Sequence, residues 1–207
     1  MSDLNFFIES DRLYLSYFQP DLDSHCEFLV RLYNTPEFIA SIGGKPTSIT
    51  AVEAARELLE GRFVDEHERN GFGTYLVSLK PTTYTTANNS FPDLLEACVH
   101  VGTVSLMRGQ PPNCYSVPDL GFAVLPEYTK RGIATEASRA LLQYVETEKG
   151  VKDVLGLFSP DYEASKAVFL RLGFVDRGLH RLKVFGNVLG AVFTKPGMSD
   201  DLKIYGL

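Results

Sequence analysis

The residues best suited to chemistry lie between a predicted strand and a predicted helix, in the segment 125–137. Lys130 and Arg131 place two positive charges in the turn, and Gly132 follows them directly. The first N–H groups of a helix lack acceptors within it and carry a partial positive charge, so they bind phosphate. Gly132 and Ala134 would let a diphosphate approach the backbone closely. The spacing indicates a phosphate-binding turn, with an ordinary strand-to-helix junction as the alternative.

The surrounding sequence predicts strands and helices that would hold this turn. Alternating or short apolar runs predict strands over residues 11–18, 72–79, 97–107, 119–125, 154–158, 174–185 and 202–207. Apolar residues three or four apart predict helices over residues 21–35, 50–69, 132–149 and 162–172. Thr50 and Glu53 match a capping box, and the polar segment 80–93 is typical of an elongated hairpin loop. The order indicates an α/β (α+β) fold with a mixed central sheet of about seven strands flanked by helices.

Length and composition are those of one domain spanning residues 1–207, with a net charge of −6. That charge disfavours nonspecific nucleic-acid binding, which needs clustered Lys and Arg. No apolar run approaches the ~18 residues that cross a bilayer, and the first residues lack the basic start of a signal peptide. Three scattered cysteines and four isolated histidines predict neither disulfides nor a metal site. We expect a cytoplasmic protein with no membrane or nucleic-acid partner.

The turn lacks the P-loop and dinucleotide motifs, Gly-x4-Gly-Lys-Ser/Thr and Gly-x-Gly-x-x-Gly. Residues 126–137, Pro-Glu-Tyr-Thr-Lys-Arg-Gly-Ile-Ala-Thr-Glu-Ala, instead resemble the acyl-CoA signature of the Gcn5-related N-acetyltransferases (GNAT), Gln/Arg-x-x-Gly-x-Gly/Ala. Segments 10–15, 101–108 and 164–174 resemble, in the same order, the branch of ribosomal-protein-alanine N-acetyltransferases (RimJ/RimL-like). The likeness spans nearly the whole chain.

The resemblance implies the GNAT acyl-CoA N-acyltransferase fold, with acetyl-CoA as cosubstrate and no metal. It implies that coenzyme A contacts one strand, the turn after it and a later helix: Phe122, Ala123, Val124, Thr129, Lys130, Arg131, Gly132, Ile133, Ala134, Thr135, Ser165 and Phe169. Two positions depart from the family pattern. Thr129 stands where Gln or Arg is frequent, and Tyr162 stands where an Asn that contacts the coenzyme A arm is common.

The resemblance also implies direct transfer in a ternary complex, without a covalent acyl-enzyme. Asp119 matches a position where the branch often has Glu and is the candidate base; the alternative is that it caps a loop or orients the substrate. Ser165 matches a serine that some relatives use near the leaving thiol, with a helix-start hydroxyl bonded to the backbone as the alternative. Tyr162 is a further candidate for that role. Backbone groups of residues 122–124 would serve the pantetheine and the thioester oxygen.

The function implied is acetyl transfer to a primary amine, either a protein N-terminus, a lysine or a small amine. Alternatives are a non-catalytic acyl-CoA-binding regulatory module and a transferase of a larger acyl group. A rival mechanism through an acyl-cysteine would use Cys98 or Cys114. The sequence leaves the acceptor open, and it allows a monomer or a homodimer.

Overall fold

One sheet of eight strands organises the protein, whose computed structural model describes residues 3–81 and 90–207. The strands are β1 (Phe7–Glu9), β2 (Leu13–Ser16), β3 (Thr74–Leu79), β4 (Val99–Met107), β5 (Asp119–Val124), β6 (Leu155–Phe158), β7 (Val175–Leu182) and β8 (Val188–Thr194). Their order across the sheet is β1-β2-β3-β4-β5-β6-β8-β7. All neighbours pair antiparallel except β5 and β6, which are parallel.

Helices cover both faces of this sheet. They are α1 (Asp23–Tyr33), α2 (Pro36–Ser41), α3 (Val52–Leu58), α4 (Val64–Asn70), α5 (Phe91–Glu96), α6 (Ile133–Lys149) and α7 (Glu163–Arg171). A π-helical turn, Leu59–Phe63, joins α3 to α4 without a break. Within the described ranges, no helix has both the length and the apolar character that a membrane crossing requires.

The two faces of the sheet have separate hydrophobic cores. Leu141 and Val145 of α6 pack with Tyr75 and Val77 of β3 in one core. Leu76, between those two strand residues, belongs to the other core together with residues of α1, α3 and the π-helical turn. Successive side chains of a strand point to opposite faces, so β3 contributes to both cores. Burial of apolar surface on each side therefore fixes α6 on one face of the sheet, and α1, α3 and the π-helical turn on the other.

The sheet is nearly divided between β5 and β6. Only one register pair, Asp119 with Leu155, joins these strands, whereas β4 and β5 pair over their whole length. Phe169 of α7 covers the gap, stacked on Phe158 at a centroid distance of 5.3 Å. Gly156 permits this contact, because a Cβ built there would lie 2.4 Å from the Phe169 ring. The α7 helix is thus seated where the strands separate.

Several details differ from the sequence-based expectation. Residues 202–207 do not form a strand; a 3-10 helix, Leu202–Tyr205, occupies that region. The expected capping box is wrong, since α3 begins after Ala51 without a side-chain cap. Pro36 does follow the end of α1, but it also begins α2. Two unpredicted strands, β1 and β8, and one lost strand change the count from seven to eight.

The predicted hairpin loop over 80–93 can be compared with the structure at residues 80–81 and 90–93. Residues 82–89 lie outside the described residues, and Phe91–Glu96 forms helix α5 rather than loop. Ser90 and Asp93 make a capping box at its start, with Ser90 N donating to Asp93 Oδ2 at 3.0 Å.

Candidate functional site

The turn between β5 and α6 presents a row of free backbone donors. Residues 130–135 supply six successive N–H groups that find no acceptor in the described parts of the chain. On either side the donors are used: Thr129 N bonds Pro126 O at 3.2 Å, and Glu136 N bonds Gly132 O at 2.9 Å. Such a row at a helix start binds anions through the amides and the helix dipole together.

Backbone conformation and charge suit the same turn to a diphosphate. Gly132 has a φ of 79° and Lys130 a φ of 60°, both left-handed, and residues 129–132 are exposed. The Arg131 guanidinium lies 5.3 Å from the centre of the Tyr128 ring, which supports it beside the turn. Ile133 and Thr135 are buried, so they contribute backbone amides rather than side chains. The predicted cofactor-binding residues of this turn are therefore adjacent and accessible through their backbone.

An ion-pair network fixes the first turn of α6. Arg12 Nε donates to Glu136 Oε2 at 2.8 Å, and Ser10 Oγ donates to Glu136 Oε1 at 2.8 Å. Arg12 Nη2 also reaches the carbonyl of Arg131 at 3.1 Å. Although partial burial acts to raise it, hydrogen bonds from Arg12 and Ser10 lower the pKa of Glu136. Glu136 was not identified from the sequence as the residue that holds this turn. Its position in the first turn of a helix, where acidic side chains are favoured, was the one sign of it.

The edge of β5 that faces β6 carries open backbone donors. Leu125 N donates to Val101 O at 2.9 Å, which directs this amide toward β4. Since amides alternate along a strand, those of Phe122 and Val124 point to the opposite edge, into the gap. β6 has already separated there, because the strands pair only at Asp119 and Leu155. The gap thus exposes the backbone groups expected to serve an extended ligand.

A cavity of about 590 Å³ occupies this gap and extends toward α1 and α2. All three predicted catalytic residues, Asp119, Tyr162 and Ser165, line it. Of the predicted cofactor-binding residues, Phe122, Ala123, Ser165 and Phe169 also line it, whereas the turn after β5 lies outside.

Asp119 lies where β5 begins to separate from β6. Burial raises its pKa to about 7; a bond from its own backbone N–H acts in the opposite direction, and the charge of Glu66 adds to the rise. Within residues 3–81 and 90–207 its carboxylate forms no ion pair and no hydrogen bond with another side chain. A half-buried carboxylate that lines a cavity and has a pKa near neutrality can exchange protons with a substrate.

Tyr162 and Ser165 differ in what their hydroxyl groups do. The Tyr162 phenol donates to the carbonyl of Glu37 at 2.9 Å, which links the start of α7 to α2 across the cavity. Burial raises the pKa of this phenol, and the charge of Glu37 adds to the effect. The Ser165 hydroxyl has no hydrogen-bond partner among the described residues, while its amide donates to Tyr162 O at 3.1 Å. Of the two, Ser165 has the uncommitted hydroxyl.

A comparison with protein-family models identifies the family of the chain. Residues 12–175 match the family model described as an acetyltransferase (GNAT) domain. The chain belongs to the GNAT acetyltransferase family. As a GNAT protein it is an N-acetyltransferase, and the predicted likeness to this family is confirmed.

Solved structures agree on the fold. RimL, a ribosomal L7/L12 alpha-N-protein acetyltransferase in complex with coenzyme A, superposes with a TM-score of 0.67 at 19% identity, covering 94% of this chain and 99% of the other. Ribosomal-protein-S5-alanine acetyltransferase from Vibrio fischeri gives 0.67 at 16% identity, with 95% and 98% covered. The microcin C7 self immunity acetyltransferase MccE, in complex with acetyl-CoA and AMP, gives 0.65 at 18% identity, with 90% and 93% covered. No curated protein matches this GNAT chain in sequence.

The cysteines of this GNAT protein do not suit the rival acyl-cysteine mechanism. Neither Cys98 nor Cys114 lines the cavity. Burial raises the pKa of the Cys98 thiol to about 11, and its Sγ donates to Leu94 O at 3.3 Å. Since the thiolate is the nucleophile, this thiol is held in its unreactive form.

Proposed function

We propose that the protein transfers the acetyl group of acetyl-CoA directly to a primary amine in the cavity between β5 and β6. The observation that carries this proposal is the position of Asp119: a carboxylate with a pKa near 7, without a side-chain partner in residues 3–81 and 90–207, beside the open amides of β5. We also propose that residues 1–207 form one catalytic domain, because strands from Phe7 to Thr194 contribute to a single sheet.

The free amides of residues 130–135 suit the diphosphate of coenzyme A, and Lys130 and Arg131 add positive charge. The edge amides of Phe122 and Val124 suit the pantetheine arm and the thioester oxygen. When bound, acetyl-CoA supplies an acetyl group already activated as a thioester. A donor aimed at that oxygen stabilises the negative charge that develops as the amine attacks, which is the role of an oxyanion hole.

In the proposed reaction the amine nitrogen forms a bond to the carbonyl carbon and the carbon–sulfur bond breaks. An alkylamine has a pKa of ~10.4 and is mostly protonated at neutral pH, so one proton must pass to bulk water before attack and a second must leave the nitrogen afterwards, while coenzyme A departs as the thiolate. Asp119 receives the proton that the nitrogen loses as the amide forms. Ser165 donates a hydrogen bond to the departing sulfur, because its hydroxyl is uncommitted whereas that of Tyr162 is bound to Glu37.

The test is Asp119→Asn, which keeps the shape of the side chain but removes its ability to take a proton. We expect acetyl transfer to a panel of amines to fall by about 100-fold or more, the usual contribution of a general base. The increase in kcat/KM centred near pH 7, where Asp119 loses its proton, should also disappear. Acetyl-CoA affinity measured by calorimetry should stay within about twofold of wild type, since the diphosphate site is separate.

Asp65→Asn is the matched control, because Asp65 is an exposed acid on α4 away from the cavity. Its rate and pH profile should equal those of the wild-type protein. Wild-type turnover by Asp119→Asn across the whole pH range would remove Asp119 from the mechanism.

A further inference from the structure

The part of the cavity that faces α1, α2 and α3 is mostly uncharged. Its lining there consists of apolar and hydroxyl side chains, including those of Tyr33, Phe38 and Thr103. Among the described residues that line the cavity, two carry a charged group: Asp119 and Arg62. A carboxylate and a guanidinium thus line the same cavity.

Arg62 owes its position to the π-helical turn between α3 and α4. The buried residues of this continuous helix are Ala55, Leu59, Phe63 and His67, each four positions after the last. An α-helix has 3.6 residues per turn, so a four-residue repeat would rotate away from the sheet by about 40° at each step. The wider π turn over Leu59–Phe63 offsets this rotation, and such turns recur at functional sites.

The same spacing creates a second stripe beside the buried one: Leu58, Arg62 and Glu66. Leu58 and Arg62 line the cavity, and Glu66 lies below them with 14% of its side chain exposed. The charge of Glu66 acts on Asp119, so the two carboxylates are close enough to interact. Arg62 therefore lines the same cavity as the proposed base, next to a carboxylate that acts on it.

The guanidinium of Arg62 keeps its hydrogen-bond donors free among the described residues, although it lies 5.5 Å from the centre of the Phe63 ring. Its Nε lies 3.6 Å from Glu66 Oε1, which is an ion pair but too long for a hydrogen bond. In the described part of the chain, none of its five donors makes a hydrogen bond, and 56% of the side chain is exposed. Glu66 Oε2 is buried without a partner, so Glu66 holds Arg62 by charge alone.

A cation next to a site for amines disfavours an acceptor whose only charge is its ammonium group. The same cation favours an acceptor that also carries an anion, because arginine binds a carboxylate through two parallel charge-assisted hydrogen bonds. We infer that Arg62 selects acceptors that carry a carboxylate in addition to the reacting amine. The acceptor would be an amino acid, or a peptide with an acidic residue next to its N-terminus. This inference rests on the proposed function of the cavity and adds the chemical class of the acceptor.

The experiment uses pairs of acceptors that differ only in the carboxylate. Phenylalanine against phenylalaninamide represents the free amino acid, and Ala-Asp-amide against Ala-Asn-amide represents the peptide. For each pair, the ratio of kcat/KM values is measured in the wild-type protein, in Arg62→Gln and in Arg69→Gln. Arg69 is the matched control, since it lies on the same helix but donates to Arg108 O instead of lining the cavity. Amine pKa values differ within a pair, but this difference is the same for every variant and cancels.

We expect the wild-type protein to favour the carboxylate member of at least one pair by about tenfold more than Arg62→Gln does, the effect of one charge-assisted pair. Arg69→Gln should keep the wild-type ratio. If the ratio changes for the phenylalanine pair, the acceptor is a free amino acid; if it changes for the Ala-Asp-amide pair, the acceptor is a peptide. Equal ratios in the wild-type protein and Arg62→Gln would overturn the inference.

Binding of the same pairs in the presence of coenzyme A, measured by calorimetry, separates this inference from the proposed function. If the wild-type protein acetylates none of the amines, the proposed function fails. Tighter binding of the carboxylate member that depends on Arg62 would still support the inference, and equal binding of both members would reject it.

Discussion

At the scale of single residues, Gly132 shows how closely the diphosphate site depends on backbone conformation. Its φ of 79° lies in the left-handed region, where a Cβ costs about 1–2 kcal/mol. A Cβ there would be 3.6 Å from Arg12 Nη2, an ordinary contact, so strain rather than collision opposes a side chain. The helix α6 starts directly after this residue.

We expect Gly132→Glu to weaken coenzyme A binding by at least about tenfold, because a negative side chain beside the free amides repels the diphosphate. Gly132→Ala introduces the same backbone strain without the charge and serves as the control. It should lose less affinity than the Glu variant. Calorimetric titration with coenzyme A provides the measurement, with thermal unfolding to compare stability. Equal coenzyme A affinity in the two variants would show that a negative charge at position 132 does not affect binding of the diphosphate.

The sequence was informative about some of these residues and silent about others. Asp119 could be placed at the start of a strand, on the face with small residues, because side chains alternate along a strand. Its partial burial, and its lack of a side-chain partner among the described residues, depend on how β6 separates from β5, which no local pattern encodes. The position of Arg62 could not be predicted, since it depends on a π-helical turn inside what reads as an ordinary helix. The hydrogen bonds from Ser10 and Arg12 to Glu136 join residues more than 120 positions apart in the sequence, so no local pattern indicates them.

At the scale of elements, α7 depends on one aromatic side chain. Phe169 has 1% of its surface exposed and packs on Phe158 and Phe122, from the two strands that separate. Gly156 leaves the space that the ring fills. The helix therefore closes the gap by packing rather than by backbone pairing.

Phe169→Ala should lower the free energy of unfolding by about 3–5 kcal/mol, the range for a large buried aromatic replaced by a small side chain. Leu170→Ala, on the exposed side of the same helix, should change it by less than about 0.5 kcal/mol. Urea denaturation followed by circular dichroism measures both. If the two variants are equally stable, Phe169 is not the residue that holds α7 in place.

Elements with a strong apolar repeat were predictable, and those defined by distant pairing were less so. The α6 helix begins and ends within one residue of the predicted bounds, because its stripe is regular and Gly150 stops it. β8 was missed although Gly186 and Asn187, both with positive φ, mark the hairpin turn before it. Residues 202–207 alternate enough to suggest a strand, but a 3-10 helix forms where no strand edge receives them.

At the scale of the whole molecule, the buried His25 and the half-buried His100 make stability depend on pH. Burial lowers the pKa of His25 to about 3, and the nearby His100 adds to this; burial lowers the pKa of His100 to about 4. Their rings meet edge to face at 5.0 Å, and His100 Nδ1 is 2.9 Å from Ser78 Oγ. In the unfolded chain both would titrate near 6.5. The unfolded state therefore binds more protons below that pH, and stability falls from about pH 6.5 toward pH 3–4.

We expect the free energy of unfolding to drop by about 1–2 kcal/mol for each histidine between pH 7 and pH 5. The raised pKa of Asp119 acts in the opposite sense, because the native state then holds the extra proton, so the measurement belongs in the Asp119→Asn background. His100→Gln in that background should remove part of the dependence; His25 and His67, whose pKa burial also lowers, keep the rest. A pH-independent free energy over this range in the Asp119→Asn protein would contradict the assignment of both histidines as neutral in the folded state.

The single register pair between Asp119 and Leu155 divides the sheet into two parts, β1–β5 and β6–β8, which are joined at one end of the gap. The distance between β5 and β6 is smallest at this pair and grows toward Val124 and Phe158, where the strands are no longer paired. The proposed base, Asp119, belongs to the pair. The group proposed to handle the proton is thus held where the two strands still pair, and Phe169 ties the strands together beyond that point.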